Sequence, residues 1–527
     1  MEGNFHWLDM TMLVLYALLM IGMGVYYKRK TKTAEEFMVA GRSIPAWAAG
    51  LAVMGAYTSS ISYVAVPGKA FLSNWHPLLF ALTVLPVSWV VCKFAVPYYR
   101  KMKLISVYSF LEERIGKWGR TYAAFVFILL QIARIAVILY LVALVFRLVF
   151  FTGTEAGNEV LVAVILIVGI ITIFYTLLGG MQAVIWTDVV QSIIMIGALA
   201  YCAIVLSVKV WGGDNPVMFT AWEQGKFSLG SLDFDLKTRG LVDRTVWTMF
   251  VFAILENLRN LLTDQNYVQK FASTPTERDA KKSIWIAMGI FIPLTAVFVY
   301  IGTCLWAFYS TGTELQAAGI VTGDDIKSDN IFPYYIATQL PPGMRGLIVA
   351  AIVAAAMSTI SSAFNCAATV SLLDFYKKYF KPELSDRGSI IFLRYATLVW
   401  GLVGTACALL MLGARSVLDI WWKVSGIFGG PIVGLFLVAL LNIRVRLWQG
   451  LVSMAASVLV LGWATFVRED SMIEGTGLYN WLSAKLPSCT LDQILIGALG
   501  TGTLMAVAIV FGLINRASGN SAEQAAS

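Results

Sequence analysis

Runs of about 20 consecutive apolar residues recur along the whole chain. A helix of about that length crosses the hydrocarbon core of a lipid bilayer. The runs are continuous and do not alternate with polar residues, so they predict helices and not the strands of a membrane barrel. The 527 residues are 58% hydrophobic and 13% charged, a balance that no soluble domain of this length needs. The sequence therefore predicts an all-α polytopic membrane protein.

The apolar runs predict about thirteen membrane spans. They are 8–27, 44–72, 76–97, 121–150, 159–178, 182–208, 245–268, 283–308, 332–375, 389–412, 416–442, 447–467 and 491–514. Lys and Arg residues, among them Lys270, cluster in alternate loops. The positive-inside rule places such loops in the cytoplasm. This pattern predicts an N-terminus outside and a C-terminus in the cytoplasm. The first run lacks a basic segment before it and a small-residue cleavage site after it, so we interpret it as a retained helix.

Two predicted spans are poorly suited to a continuous helix. The second carries the polar segment 55–62 and then Pro67, and the seventh turns polar over 256–266. Interrupted helices at matching positions of two halves are typical of inverted-repeat transporters with a site near the membrane midplane. We predict one transporter domain in four parts. These are an extra helix and cytoplasmic loop (1–43), a five-plus-five inverted-repeat core (44–442), two C-terminal helices (443–515) and a cytoplasmic tail (516–527).

Two charged residues lie inside apolar runs, where a charge costs about 2.5–3.5 kcal/mol on insertion scales. Asp188 needs a cation, water or a protein partner, unless it caps a helix that begins near Gly179 and Gly180. Arg134 needs a carboxylate, and that carboxylate belongs either to an internal acid or to a substrate.

Hydroxyl groups cluster within the ninth predicted span. They belong to Ser358, Thr359, Ser361 and Ser362. Hydroxyl oxygens at this spacing can bind a small hard cation. In the alternative interpretation they donate to the carbonyl four residues earlier, as Ser and Thr often do in membrane helices.

A second hydroxyl cluster lies in the break of the second span. It consists of Tyr57, Ser59, Ser60 and Ser62. An unwound segment leaves backbone carbonyls for a cation and hydroxyls for a polar solute. Small residues there also permit close helix packing without any ligand.

Three motifs resemble those of a known family. They are LLGGMQAVIWTDVVQ (177–191), LLTDQNYVQKFAS (261–273) and the segment 329–376 around the serine cluster. In this order they resemble the sodium/solute symporter family, and the resemblance runs from about residue 8 to 515. It implies the inverted-repeat fold that is also found in the leucine/sodium transporter. It also implies Na⁺-coupled transport of a solute by alternating access.

The family resemblance implies two sodium sites. The first would use carbonyl oxygens of Gly55, Thr58 and Ala355 and the hydroxyls of Ser358 and Thr359. The second, deeper site would use Asp188, Ser358, Ser361 and Ser362.

Two segments, 59–75 and 134–144, look like the bacterial sialic acid branch of the family. This resemblance implies that Arg134 meets the sugar's carboxylate. The remaining solute contacts are expected from Tyr57, Ser59, Ser62, Asn260 and Asp264. The chain departs from the branch on the third span, where Pro77 and Ala81 stand in place of an aromatic residue and a glutamine.

The sequence thus predicts a Na⁺-coupled symporter that imports a carboxylated sugar such as sialic acid. An uncharged sugar and another organic anion remain alternative solutes, and a transporter-like membrane sensor is a further alternative. Neither a Ser–Lys dyad nor a His/Glu metal pair is evident in the sequence, so no enzyme is predicted. We expect a multi-pass monomer in a bacterial inner membrane, with Na⁺, the solute and lipid as partners and no nucleic acid.

Overall fold

The computed structural model describes residues 6–103, 105–151, 157–211, 217–232, 245–309, 313–322, 325–412, 417–443, 445–468 and 477–524. Helices dominate this described part of the chain. A short antiparallel hairpin pairs Val321–Thr322 with Asp325–Ile326.

The first ten α-helices precede the second broken span. They are α1 (Trp7–Lys28), α2 (Ala34–Val39), α3 (Ala46–Tyr57), α4 (Ser60–Leu72), α5 (His76–Val90), α6 (Val96–Lys101), α7 (Ser109–Arg114), α8 (Lys117–Phe150), α9 (Asn158–Trp211) and α10 (Val217–Glu223). The remaining helices are α11 (Val246–Leu258), α12 (Gln265–Ala272), α13 (Glu277–Tyr309), α14 (Glu314–Ala317), α15 (Ile331–Gln339), α16 (Met344–Val370), α17 (Asp386–Leu410), α18 (Val417–Leu440), α19 (Leu447–Phe466), α20 (Gly477–Lys485) and α21 (Ile496–Gln524). Wider π-helical turns occupy Val91–Ala95, Arg259–Thr263 and Ser371–Phe380, and 3₁₀ turns occupy Ala40–Arg42, Ser328–Asn330 and Gln493–Leu495.

Nine helices in the described ranges are long and apolar enough to cross a membrane, or ten if the bent pair Ala34–Arg42 and Ala46–Tyr57 counts as one span. One of them, α9, is 54 residues long and is interrupted at Gly180, which has φ +52° and ψ −149°. At 1.5 Å per residue it would measure about 81 Å, far more than a bilayer requires. The predicted junction between spans 159–178 and 182–208 lies at this glycine. The total of about thirteen spans stays a prediction.

The single span predicted over 332–375 is wrong, because the structure divides it. Helix α15 ends at Gln339 and α16 begins at Met344. Leu340 is extended, with φ −96° and ψ 143°, as expected for a residue that precedes a proline. Pro341 and Pro342 lack the amide hydrogens that a continuing helix needs.

Helix α1 docks on the start of α16 through a buried carboxylate. Asp9 Oδ1 accepts hydrogen bonds from the backbone amides of Gly343 at 2.7 Å and Gly346 at 2.8 Å. A Cβ atom at Gly346 would lie 2.5 Å from the Asp9 Cα, so the glycine permits this approach. The negative charge lies where the helix dipole of α16 is positive, which stabilises the contact.

Helices α4 and α13 pack so closely that only glycine fits at their crossing. A Cβ atom at Gly302 would clash with the Pro67 carbonyl oxygen and would lie 2.7 Å from the Ala70 Cβ. We expect Gly302→Ala to destabilise the protein by about 1–3 kcal/mol through overpacking. The measurement is thermal unfolding in detergent. Gly289→Ala in the same helix is the control, because a Cβ atom there would have no neighbouring atom within 4 Å; equal melting temperatures for the two variants would contradict the close packing.

A network of four charges joins α7, α8 and the π-helical end of α16. Arg120 binds Asp374 at 2.5 Å and Glu112 at 2.7 Å, and Lys378 binds Glu112 at 2.8 Å. Ser106 donates a hydrogen bond to the other Asp374 oxygen at 2.7 Å. Burial acts to raise the pKa of Glu112, but its hydrogen bonds and charge attraction with Lys378 and Arg120 outweigh burial and lower that pKa. The network therefore holds three elements together at this end of the molecule.

Candidate transport site

Both predicted helix breaks are present and contain extended backbone. Between α3 and α4, Thr58 has φ −101° and ψ 90°, and Ser59 has φ −93° and ψ 175°. Between α11 and α12, a π-helical turn is followed by Asp264 with φ −87° and ψ 115°. Each break exposes backbone groups that a continuous helix would have paired.

A cavity of about 320 Å³ contacts residues from both broken spans. Three of the predicted solute residues, Tyr57, Ser59 and Ser62, line it. Most of its other walls are apolar, and they include Phe80, Phe252, Phe291 and Phe298. The volume and the mixture of apolar walls with a few polar groups are those of a small-molecule site.

The cavity lining carries more positive than negative formal charge. Among the described lining residues, Lys69 and Arg259 are cations and Glu256 is an anion, and His76 is also present. Lys69 lies near the end of α4 and His76 begins α5, so the cavity extends from the break at Tyr57 toward this end of the bundle. Cationic side chains on the wall of a low-dielectric cleft attract an anionic solute.

Buried amides fill the region where α12 meets α2 and α16. Gln269 donates hydrogen bonds to the Met38 carbonyl and to Asn365 Oδ1, the latter at 2.9 Å. Gln265 donates to the Ile105 carbonyl at 2.6 Å and accepts from the Val107 amide at 2.9 Å. These bonds and the network around Asp374 join elements remote from the cavity end marked by Lys69 and His76.

Arg134 has an internal acidic partner. Its Nη2 lies 3.2 Å from Asp264 Oδ2, and both side chains are largely buried. Asp264 Oδ1 accepts two further hydrogen bonds from Asn266, at 2.9 Å from the amide and 2.8 Å from Nδ2. Arg134, Asp264 and Asn260 are not among the described residues that line the cavity. Of the two partners that the sequence left open for Arg134, the structure shows the internal acid.

Residues predicted for the first sodium site meet where α3 approaches α16. A Cβ atom at Gly55 would lie 3.0 Å from Ser358 Oγ. Ser358 Oγ is buried and makes no hydrogen bond within the described chain. Thr359 donates to the Ala355 carbonyl at 3.2 Å, and Thr58 is fully buried at the end of α3. Because a hydroxyl that donates one bond keeps lone pairs for a cation, this oxygen set fits sodium.

The other two serines of the cluster donate to the backbone of their own helix. Ser361 and Ser362 both donate to the Ser358 carbonyl, at 3.2 Å and 3.0 Å. Backbone bonding of this kind was the alternative interpretation for the cluster. Ser358 differs from them because its hydroxyl has no such bond. Of the three serines, it therefore gives the strongest support for a bound cation.

Asp188 is paired with a lysine that was predicted to lie in a loop. Lys270 Nζ lies 2.9 Å from Asp188 Oδ2, and neither side chain is exposed. The same Nζ donates to the Ala52 carbonyl at 2.9 Å. The helix-cap interpretation of Asp188 and the loop position of Lys270 are therefore both wrong. Asp188 Oδ1 makes no hydrogen bond within the described chain, so a sodium ion here would share the carboxylate with an ammonium group.

Glu256 and Arg259 form an ion pair that was not predicted from the sequence. Arg259 Nε donates to Glu256 Oε2 at 2.9 Å, and Nη2 donates to Oε1. Their spacing of three residues, which places both side chains on one helix face, was the available signal.

The family model described as the sodium:solute symporter family matches residues 37–455. The chain belongs to the sodium:solute symporter family. Among its relatives, the sodium/sialic acid symporter of Aliivibrio fischeri is 30% identical over 462 residues, 87% of this chain and 88% of that protein. The sodium/sialic acid symporter of Proteus mirabilis is 29% identical over 460 residues, which are 87% of this chain and 89% of that protein. The human sodium-coupled monocarboxylate transporter 2 is 28% identical over 437 residues, which are 81% of this chain and 67% of that protein.

The symporter also resembles solved structures over most of its length. The substrate-bound outward-open state of a Na⁺-coupled sialic acid symporter matches with a TM-score of 0.83 and 25% identity, over 97% of this chain and 98% of that chain. A nucleobase-cation symporter in a closed conformation matches with a TM-score of 0.53 and 13% identity, which shows the fold alone. The predicted all-α inverted-repeat architecture and the prediction of Na⁺ as coupling ion are confirmed.

Proposed function

We propose that this symporter imports a small carboxylated sugar, and specifically sialic acid, together with Na⁺. The observation that carries the proposal is the cavity between the two broken spans, which is lined by hydroxyls from one break and by an arginine from the other. The cationic side chains on its wall suit a carboxylate, and its volume of about 320 Å³ suits a single sugar. The similarity to sialic acid symporters supports this choice of solute.

Sodium couples to the solute through the break between α3 and α4. A cation held by oxygens of Gly55 and Thr58 on one side and Ser358 on the other would join α3 to α16. Ser59, the next residue after Thr58, lines the cavity. Fixing the backbone at Thr58 therefore fixes the hydroxyl that the solute meets, so each ligand favours the conformation that binds the other. A second cation at Asp188, Ser358, Ser361 and Ser362 would strengthen the same link.

The transport cycle is alternating access within one chain. The proposed functional unit is a monomer. With the N-terminus outside and the C-terminus in the cytoplasm, the end of the cavity at Lys69 and His76 faces outward. The network around Asp374 then lies on the cytoplasmic side of a bacterial inner membrane, and it would have to open for inward release.

The second candidate solute is another organic anion. The relatives named monocarboxylate transporters and the positive charge of the cavity favour it. A small monocarboxylate would use the arginine but leave the hydroxyls of Ser59 and Ser62 without a partner.

Uptake into proteoliposomes tests the proposal. An inward Na⁺ gradient should drive accumulation of labelled N-acetylneuraminate, and replacing Na⁺ by K⁺ should abolish it. Excess unlabelled N-acetylneuraminate should compete, whereas lactate and glucose should not. Competition by lactate alone would favour the organic-anion alternative, and competition by glucose alone would favour an uncharged sugar.

A further inference from the structure

One stretch of chain, residues 226–232, contacts the cavity-lining halves of both broken spans. It follows α10 in the sequence and precedes α11. Helix α4 lines the cavity with residues between Ile61 and Lys69, and α11 lines it with residues between Met249 and Glu256. We call residues 226–232 the strap, because its first residue is bonded to the end of α4 and its last residues are bonded to the start of α11.

Lys226 holds the strap to α4. Its Nζ donates hydrogen bonds to the Phe71 carbonyl at 2.7 Å and to the Leu72 carbonyl at 3.4 Å. Both carbonyls belong to the last turn of α4, where no following turn supplies amide donors. The ammonium also lies at the negative end of the helix dipole, where a cation is stabilising. Lys226 thus caps the helix that forms one wall of the cavity.

The contact with α4 is buried. Only 8% of Lys226 is exposed, and its Nζ lies 5.0 Å from the centroid of the Trp306 ring. The next two residues of the strap, Phe227 and Ser228, contact Trp75 just after α4. The Ser228 carbonyl accepts a hydrogen bond from the Trp75 amide at 2.8 Å, and the two aromatic rings lie 5.2 Å apart. Because a buried ammonium depends on its hydrogen bonds, separating the strap from α4 would be costly.

The other end of the strap is bonded to the start of α11. The Ser231 carbonyl accepts a hydrogen bond from the Val246 amide at 3.0 Å. The Leu232 carbonyl accepts another from Trp247 Nε1, also at 3.0 Å. Both donors belong to the first turn of α11, whose amides have no partner within the helix. The strap therefore joins the two cavity-lining helices at their ends remote from the breaks.

From these contacts we infer that the strap makes α4 and α11 move as one unit during transport, and that Lys226 is the positioning residue for α4. This inference rests on the proposed function, because the two helices form walls of the proposed solute cavity. A solute that draws one wall inward then draws the other with it. Without Lys226, α4 would sample orientations in which Ser62 is misplaced, and the apparent affinity for the solute would fall with the fraction of competent molecules.

The test measures the distance between α4 and α11 by pulsed electron paramagnetic resonance. Spin labels are attached at Leu72→Cys and Phe250→Cys, whose native side chains are 41% and 44% exposed. Cys407→Ser removes the one cysteine that is not buried. With the native Lys226, we expect one narrow distance that is the same in K⁺, in Na⁺, and in Na⁺ with N-acetylneuraminate.

Lys226→Met removes the ammonium and retains much of the side-chain volume. We expect it to broaden the distance distribution and to weaken binding of N-acetylneuraminate by about 3- to 10-fold, because charged hydrogen bonds to α4 are lost. Lys226→Arg can still donate to both carbonyls and should restore both properties. Lys209→Met is the matched control, because the ammonium of Lys209 donates to Gln339 of α15 at 3.1 Å and not to α4. Calorimetry in detergent measures binding, and size-exclusion profiles establish that each variant is folded.

Either of two results overturns the inference. One is a distance between the labels that changes with Na⁺ or solute while Lys226 is present, since the two helices would then move separately. The other is a narrow distance in folded Lys226→Met. The first result needs no variant of Lys226, so the inference is tested even if Lys226→Met does not fold. If N-acetylneuraminate does not bind, the proposed solute is wrong, whereas the distances in K⁺ and Na⁺ still decide the role of the strap.

Discussion

Replacing Asp188 with asparagine is expected to destabilise the symporter by about 3–5 kcal/mol, because the variant leaves a buried ammonium without its carboxylate. Lys270 and Asp188 are both fully buried, and within the described chain the amine also donates to the neutral Ala52 carbonyl. A neutral amide cannot replace the lost charge attraction. Thermal unfolding in detergent should therefore show a large decrease in melting temperature, and Na⁺-driven uptake should be lost.

A double variant separates stability from sodium binding. Asp188→Asn combined with Lys270→Met removes both charges and keeps the volume of the lysine side chain nearly filled. Replacing a buried ion pair with neutral groups is often neutral for stability, so the melting temperature should return toward that of the unaltered protein. If Asp188 holds a second sodium ion, the Na⁺ Hill coefficient of any uptake that remains should fall toward one. An Asp188→Asn variant as stable as the unaltered protein would contradict the importance of the ion pair.

The second large effect is expected at Ser358. Ser358→Ala should abolish Na⁺-driven uptake and leave the melting temperature unchanged or slightly raised. The hydroxyl is buried without a hydrogen bond in the described chain, so its removal sacrifices no internal bond. It is also the one side chain assigned to both predicted sodium sites. Uptake in proteoliposomes and Na⁺-dependent thermal shifts measure the two effects separately.

Ser453→Ala is a matched control for Ser358→Ala. Ser453 is also buried, but its hydroxyl donates to the Gln449 carbonyl of its own helix at 2.8 Å. It lies in α19, far in sequence from both broken spans. This variant should transport normally. Normal Na⁺ dependence in Ser358→Ala would remove the main physical support for a cation between α3 and α16.

Structural features that depend on a short stretch of sequence were predictable. Glycine, serine and proline in the second span, and the polar run 256–266 in the seventh, indicated the two breaks because such residues weaken a membrane helix locally. Gly179 and Gly180 likewise indicated the junction inside the 54 residues of α9. The pair Pro341–Pro342 carried an equally local signal that the apolar run around it obscured.

Partners between distant segments were not predictable from one sequence. Arg134 of α8 pairs with Asp264, and Lys270 of α12 pairs with Asp188 of α9, only after these distant segments have packed together. Lys270 looked like a loop charge because α12 is short and polar. Its burial depends on the backbone of α3 offering the Ala52 carbonyl, which periodicity cannot reveal. The sequence therefore identified several charged side chains that needed partners but did not identify those partners.

The contact between Asp9 and the start of α16 has a consequence for the order of assembly during biosynthesis. Its hydrogen bonds join residues 334 and 337 positions apart. At 5–20 residues per second, synthesis of the intervening chain takes about 17–67 s. A carboxylate is costly in hydrocarbon, so during that interval Asp9 is best accommodated at the watery edge of the bilayer. Helix α1 therefore reaches its final position only after α16 has been made, and its docking is a late event in folding.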